Sequence, residues 1–214
     1  MLPRENITKQ LLWRYATKIF IKGKRTSEAE LASILEAGRM APAAYGLQPF
    51  KIVHVTDVAL REKLRAEAAF GQPQVTDAGD FFVIARRTDI DEAFIDAYVA
   101  HVASVRGMAE ADLEGFRSMM KGDILARSEE GKAAWAGRQA YISLGMMLET
   151  AALLSVDSCP MEGFDPSKVD AMLDLSGKKL ASLAFFAVGY RGEGDMYAAL
   201  PKVRETKENL ILEI

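Results

Sequence analysis

Phe81-Phe82-Val83-Ile84-Ala85 is a continuous apolar run. A strand with one face in water alternates apolar with polar residues, whereas a strand covered on both faces reads as an unbroken hydrophobic stretch. The run therefore predicts a strand sandwiched between layers, and Leu180 to Val188 reads as a second buried strand. Phe50 to Val55 has the β-branched and aromatic content of a third, and Ser158 to Met161 forms a short fourth. The tail, Leu210 to Ile214, alternates weakly.

Helical stretches separate these strands. One is predicted from Ile7 to near Ala16. Thr26 or Ser27 caps the next: Ser27-Glu28-Ala29-Glu30 is a capping box, and Leu31, Ile34, Leu35 and Gly38 follow at helical spacing until Pro42 stops the helix. A third runs from about Val58 to Ala69, and Gly71 and Pro73 punctuate the chain before Gln74 to Ala78. From Asp91 to about Leu154, Ala, Met, Glu, Leu and Arg dominate, which favours helix throughout, broken near Gly107 and around Gly131. The last of these helices carries Tyr141, Leu144, Gly145, Leu148, Ala151 and Ala152 on one face, where the small residues would let another helix approach closely. Asp165-Pro166 opens a further helix with Pro in its first turn. Four or five short strands among long helices define an α+β layered fold in which helix outweighs strand.

Composition narrows the function. Lys+Arg of 27 against Asp+Glu of 30 leaves a net charge of −3, which offers no long-range attraction for nucleic acid or an anionic membrane. The single cysteine, Cys159, cannot close an intramolecular disulfide, and His54 and His101 stand at no metal-ligand spacing from it. A metal-free protein of the reducing cytoplasm is expected. Met1 to Gln10 is polar, and no stretch approaches the roughly 18 unbroken apolar residues of a membrane span. With no linker or repeat dividing the chain, one domain over residues 1–214 is expected.

Familiar catalytic signatures are missing. The chain has no Walker sequence and no Gly-x-Ser-x-Gly, and Gly189, Gly192 and Gly194 have the wrong order for a dinucleotide fingerprint. Three clusters stand out instead. Arg14-Tyr15-Ala16-Thr17-Lys18 places two cations four residues apart; they suit a phosphate and equally a solvated surface pair. Met40 to Phe50, with Pro42, Pro49, Gly46 and small residues, leaves backbone groups free to touch a planar ligand, or simply connects a helix to a strand. Cys159 to Asp165 offers backbone N–H groups ahead of a helix, while Leu200-Pro201-Lys202-Val203-Arg204 adds two cations at alternating positions. An anion site would gather Arg14, Lys18, Lys202 and Arg204; the alternative is two solvated pairs that never meet.

In their order along the chain, these clusters and Gly71-Gln72-Pro73-Gln74-Val75-Thr76-Asp77-Ala78 resemble the nitroreductase family of flavin enzymes, in its branch of oxygen-insensitive NAD(P)H nitroreductases and dihydropteridine reductases. The resemblance runs from Arg14 to Arg204. It implies a three-layer fold with a central, mostly antiparallel sheet flanked by long helices, in an intertwined homodimer with FMN at the subunit interface. By position, Arg14, Lys202 and Arg204 would bind the FMN phosphate, with Tyr15 and Ala16 beside it. Lys18 would sit near the flavin's pyrimidine end and ribityl chain, and Gln72 and Gln74 near the same pyrimidine edge. Pro42, Ala43, Ala44 and Gly46 would reach the partner subunit's flavin, while Pro160, Met161, Glu162 and Gly163 would line one face.

The resemblance further implies ping-pong reduction of nitroaromatics, quinones, pteridines or flavins by NADH or NADPH, with the chemistry carried by the flavin and no catalytic side chain. A flavin-binding sensor or carrier of the same fold is the alternative. The chain has Gly71 and Gln74 where many members have Asn and Lys, and Ala43 and Ala44 where they often have Ser. At position 74 a neutral amide stabilises a reduced, anionic flavin less than an ammonium does. The stretch Ala109 to Arg127, with Phe116, Met119 and Met120, shapes an acceptor pocket or belongs to the core.

Overall fold

The two apolar runs pair with each other at the centre of a four-stranded antiparallel sheet. In this computed structural model, which describes residues 4–214, β1 (Phe50–His54), β2 (Asp80–Arg87), β3 (Asp157–Met161) and β4 (Leu180–Gly189) are ordered β1-β2-β4-β3. The polar stretch beginning at Met1 lies partly outside the described residues. Strand side chains alternate between faces. Phe81, Val83 and Ala85 of β2 and Phe185 and Ala187 of β4 join one core cluster, and Phe82, Ile84, Ala184, Phe186 and Val188 join the other. Both faces are thus covered, as the unbroken runs predict. A bulge shifts the register where Ile84 pairs with Ala184 but Ala85 with Ser182.

The first cluster takes in Leu64 of α3 (Val58–Glu67), Val75 of the short α4 (Gln74–Asp77) and Val169 of α8 (Pro166–Met172). The second takes in Ile34 of α2 (Glu28–Arg39) and Leu144, Met147 and Ala151 of α7 (Glu129–Leu153). Beyond this three-layer unit, α5 (Glu92–Arg106) and α6 (Glu114–Ile124) pack on the first part of α7 through Ile95, Val99, Met120, Ile124 and Trp135. Met120 of the stretch at 109–127 is therefore core, while Met119 is exposed.

The caps explain several boundaries. The Ser27 hydroxyl accepts the Glu30 N–H and the Glu30 carboxylate accepts the Ser27 N–H, completing the capping box of α2; such a cap contributes about 1 kcal/mol. Gly107 ends α5 in the left-handed region, at φ 65°, which costs glycine nothing. The second break lies close to Gly131, between α6 and α7, and the Ser128 hydroxyl, accepting the Gly131 N–H, starts α7 with this glycine inside its first turn.

Three other expectations change. The first helix, α1 (Arg4–Trp13), stops short of Ala16, because Ala16 pairs with Ser158 in a parallel bridge and pulls the chain out straight. Of the predicted face of α7, Leu144, Ala151 and Ala152 are buried but Tyr141 and Gly145 are exposed, and Ala136, Ala140, Ser143 and Met147 complete the buried stripe. A close approach to α7 exists, but its glycine is Gly38 on α2: a Cβ there would lie 2.8 Å from Met147 Sδ, and Ser143 Oγ donates to the Gly38 carbonyl at 2.9 Å. The tail forms α9 (Lys207–Leu210) and then runs on exposed, without joining the sheet. Among the described residues, no helix is long and apolar enough to cross a membrane.

Candidate functional site: a cationic cleft beside β3

The bridge that shortens α1 also builds the site. Thr17 N–H donates to the Ser158 carbonyl at 3.2 Å, so the chain at Ala16 and Thr17 runs alongside β3. The Tyr15 hydroxyl is taken by Asp195 at 2.8 Å and the Thr17 hydroxyl by Asp157 at 3.4 Å. Arg14 and Lys18 remain to line a cleft of about 500 Å³, whose walls also include Tyr15, Ala16, Pro160, Lys202 and Arg204. The structure therefore brings together cations from both ends of the chain.

Their charges are felt. Burial, then the nearby Arg14 and Arg204 guanidinium groups, pushes the Lys202 ammonium below its ordinary value. Burial and Arg204 do the same to Arg14. Lys202 Nζ donates to the carbonyls of Leu11, at 2.8 Å, and Arg14. Among the described residues, none of Arg14, Lys18, Lys202 and Arg204 forms an ion pair with a carboxylate. Arg14 Nε is buried without a hydrogen-bond partner. Burial pushes the Cys159 thiol up, against the pull of Lys18 and Arg14, so this residue is neutral core beneath the cleft.

Pro160, at the end of β3, leads from the cleft to a second group of expected site residues. Gln72 Nε2 donates to the Gly163 carbonyl at 2.5 Å and to the Ala69 carbonyl at 3.1 Å, tying its loop to the Pro160–Gly163 segment. Met161 is buried, Glu162 is exposed, and the Tyr141 hydroxyl donates to Glu162 Oε1 at 2.6 Å. Burial, reinforced by that bond, pushes the Tyr141 phenol up to about 12. Gln74 is buried, and its Oε1 has no hydrogen-bond partner.

Pro42, Ala43, Ala44 and Gly46 do not line the cleft of their own chain. They flank a tight turn held by Ala44 N–H donating to Gln139 Oε1 at 2.8 Å and by the Tyr98 hydroxyl donating to the Tyr45 carbonyl at 2.7 Å. Gly46, at φ 79°, could take no side chain, since a Cβ would meet Tyr98 Oη at 2.5 Å.

Sequence reasoning missed the residues that hold the cleft together. Asp195, 8 % exposed, accepts the Tyr15 hydroxyl and the N–H groups of Lys18 at 2.7 Å, Ile19 at 3.1 Å and Tyr197 at 3.1 Å. Burial alone would raise its carboxyl, but these donors outweigh it and hold the group below the usual carboxylate value. Asp157 accepts the Arg191 N–H at 2.9 Å and its Nε at 2.7 Å, while the Arg191 guanidinium lies over the rings of Trp13 and Tyr15. No local pattern marks either aspartate.

The fold and this cleft together describe a class, a layered α+β protein with a cationic cleft at the edge of its sheet. The Nitroreductase family profile matches residues 11–190, and the chain belongs to that family. Among its relatives is the protein named "Putative NAD(P)H nitroreductase SH0546" of Staphylococcus haemolyticus, 33% identical over 219 residues that cover 97% of each chain. The fold is shared with a crystal structure described as putative nitroreductase ydfN of Bacillus subtilis, at TM-score 0.85 and 22% identity over 99% of this chain and 100% of that one. It is shared too with a structure described as a putative nitroreductase in complex with FMN from Exiguobacterium sibiricum, at TM-score 0.78 and 15% identity over 100% and 98%.

Proposed function

We propose that the chain is an FMN-dependent NAD(P)H oxidoreductase acting on nitroaromatics, quinones, pteridines or flavins, with residues 1–214 forming one FMN-binding domain that works as a cytoplasmic homodimer. The observation that carries this reading is the uncompensated cation cluster. Like charges brought together raise the energy unless an anion joins them, and among the described residues Arg14, Lys202 and Arg204 meet no carboxylate. A phosphate supplies acceptor oxygens suited to the guanidinium forks and to the ammonium point charge, and the unpartnered Arg14 Nε is a donor awaiting one. The residues present therefore fit FMN.

In this reading Arg14, Lys202 and Arg204 hold the phosphate, and Tyr15 and Ala16 pack beside it. Lys18, Gln72 and Gln74 serve the pyrimidine edge. The Pro160–Gly163 segment lines one ring face, with the Glu162 carboxylate tethered by Tyr141. When bound, FMN supplies the redox chemistry, a hydride in from the nicotinamide and electrons out to an acceptor that follows in the same slot, in ping-pong order. The chain's own work is to bind, orient and shield. Pro42, Ala43, Ala44 and Gly46 reach the flavin of the partner subunit. Support for a partner comes from exposed apolar residues, Tyr141 and Ile142 on α7 and Leu210, Ile211, Leu212 and Ile214 in the tail.

The test is a spectrum followed by turnover. Protein loaded with FMN is expected to bleach with NADH or NADPH and to recover its colour with a nitroaromatic acceptor. A yellow protein inert to both nicotinamides would leave a flavin carrier or sensor. A protein that cannot be loaded with FMN would overturn the reading.

A further inference from the structure

The cleft is assembled from two segments far apart in the chain; the Lys202 ammonium joins them through the Leu11 and Arg14 carbonyls, and a buried carboxylate joins them a second time. Asp195 Oδ2 accepts the Tyr15 hydroxyl and the N–H groups of Lys18 and Ile19, all from the segment that carries Arg14 and Lys18. Its Oδ1 accepts the Tyr197 N–H and so caps the short turn Met196–Ala198, which leads into Lys202 and Arg204. One oxygen serves each half of the cation cluster. Tyr15 and Tyr197 both line the cleft, so the joint lies in its wall.

We propose that Asp195 is a positioning residue for phosphate recognition, setting the separation between Arg14 on one segment and Lys202 and Arg204 on the other. The inference rests on the reading of the cleft as the FMN phosphate site. Its physical basis is simple: repelling cations drift apart unless something clamps their backbones, and a site opened by even one ångström loses directed hydrogen bonds. Asp195 clamps both backbones without ion-pairing with the cations, so it orders them while leaving their charge free for the ligand. An asparagine cannot replace it, because its amide has one accepting oxygen and its NH2 group would confront N–H donors on one side.

The distinguishing readout is selectivity between FMN and riboflavin, which differ by the phosphate. A mere brace of the fold would weaken both equally. Titrating the flavin-free protein by quenching of flavin fluorescence, the wild type is expected to prefer FMN. Asp195→Asn is expected to weaken FMN by at least about tenfold, the scale of hydrogen bonds to charged groups, and riboflavin by no more than about twofold. Tyr15→Phe keeps the carboxylate and removes one donor; it is expected to erode the same preference about threefold, and it carries the test should Asp195→Asn not fold. A wild type preferring FMN, with variants that keep the preference or lose both flavins in parallel, overturns the role of Asp195 alone. A wild type without preference overturns the phosphate reading and this inference with it.

Discussion

Two charged clusters sit on opposite sides of this molecule's chemistry. At the start of β2 the buried Asp80 carboxylate takes Arg25 Nη2 at 2.6 Å, the Thr26 hydroxyl at 2.8 Å and lies 3.3 Å from His54 Nε2. Its charge is answered within the fold. Beside β3, Arg14, Lys202 and Arg204 press against one another with no such answer. The first arrangement is closed within the fold; the second is open, which is why we propose it as the phosphate site. Unbalanced charge at a defended position, and not charge itself, marks function.

That contrast can be broken most severely at the open cluster. The double variant Arg14→Ala/Lys202→Ala is expected to weaken FMN by more than about 100-fold, since each charge-assisted bond contributes about 1.5–3 kcal/mol, while thermal stability holds or rises as repulsion is relieved. Flavin titration and a melt read both quantities; an unchanged FMN affinity would erase the distinction. Asp80→Ala should do the reverse. It leaves the Thr26 hydroxyl, a buried side chain, without its acceptor and is expected to cost about 2–3 kcal/mol, a fall in Tm of roughly 5–10 °C for a chain this long, with FMN affinity intact.

The two clusters also respond to opposite ends of the pH scale. Burial, aided by Arg25, pushes His54 below its ordinary value in spite of Asp80. The folded state then holds fewer protons than the unfolded one, so stability rises with pH through this window and is lost as pH falls below about 6.5. Asp80 adds to the loss further down: burial would raise it, but Arg25, Thr26 and His54 hold it low, so its contribution is complete above about pH 4 and drains as pH falls through its folded value. At the open cluster, lowered Lys202 should let the flavin-free protein gain stability as pH rises through the window below 10.5, while FMN affinity falls. Melts and flavin titrations across pH check both signs, and Lys202→Arg should remove the alkaline fall.

The smallest expected effect concerns Gln74, a neutral amide in a buried position. Gln74→Lys is expected to raise the reduction potential of bound flavin, because an ammonium favours the reduced, anionic ring more than an amide does. A redox titration showing no shift, or a negative one, would separate Gln74 from the flavin.

The sheet was legible because its signal is local. Phe81 to Ala85 and Leu180 to Val188 announce burial on both faces through their own composition, and the Ser27 capping box announces its helix within four residues. The break before α7 is legible near Gly131, and its start is set by one hydroxyl, the Ser128 cap. The cations of the cleft were visible as types but not as a cluster. Arg14 and Lys202 are 188 positions apart, and they meet through Lys202 donating to the Arg14 carbonyl and through Asp195 reaching back 177 positions to Lys18. Nothing in Gly192-Glu193-Gly194-Asp195 records that reach. On α7 the expected face holds at Leu144, Ala151 and Ala152 and departs at Tyr141, whose hydroxyl donates to Glu162 at the site edge and not in the core.

A crystal structure of the FMN-loaded protein tests the central claim most directly. The account expects the phosphate oxygens within hydrogen-bonding distance of Arg14, Lys202 and Arg204, with Asp195 still joining Tyr15, Lys18 and Tyr197. A phosphate lodged instead in the pocket of about 250 Å³ lined by Lys22, Arg25, His54 and Arg61, beside Asp80, would contradict it.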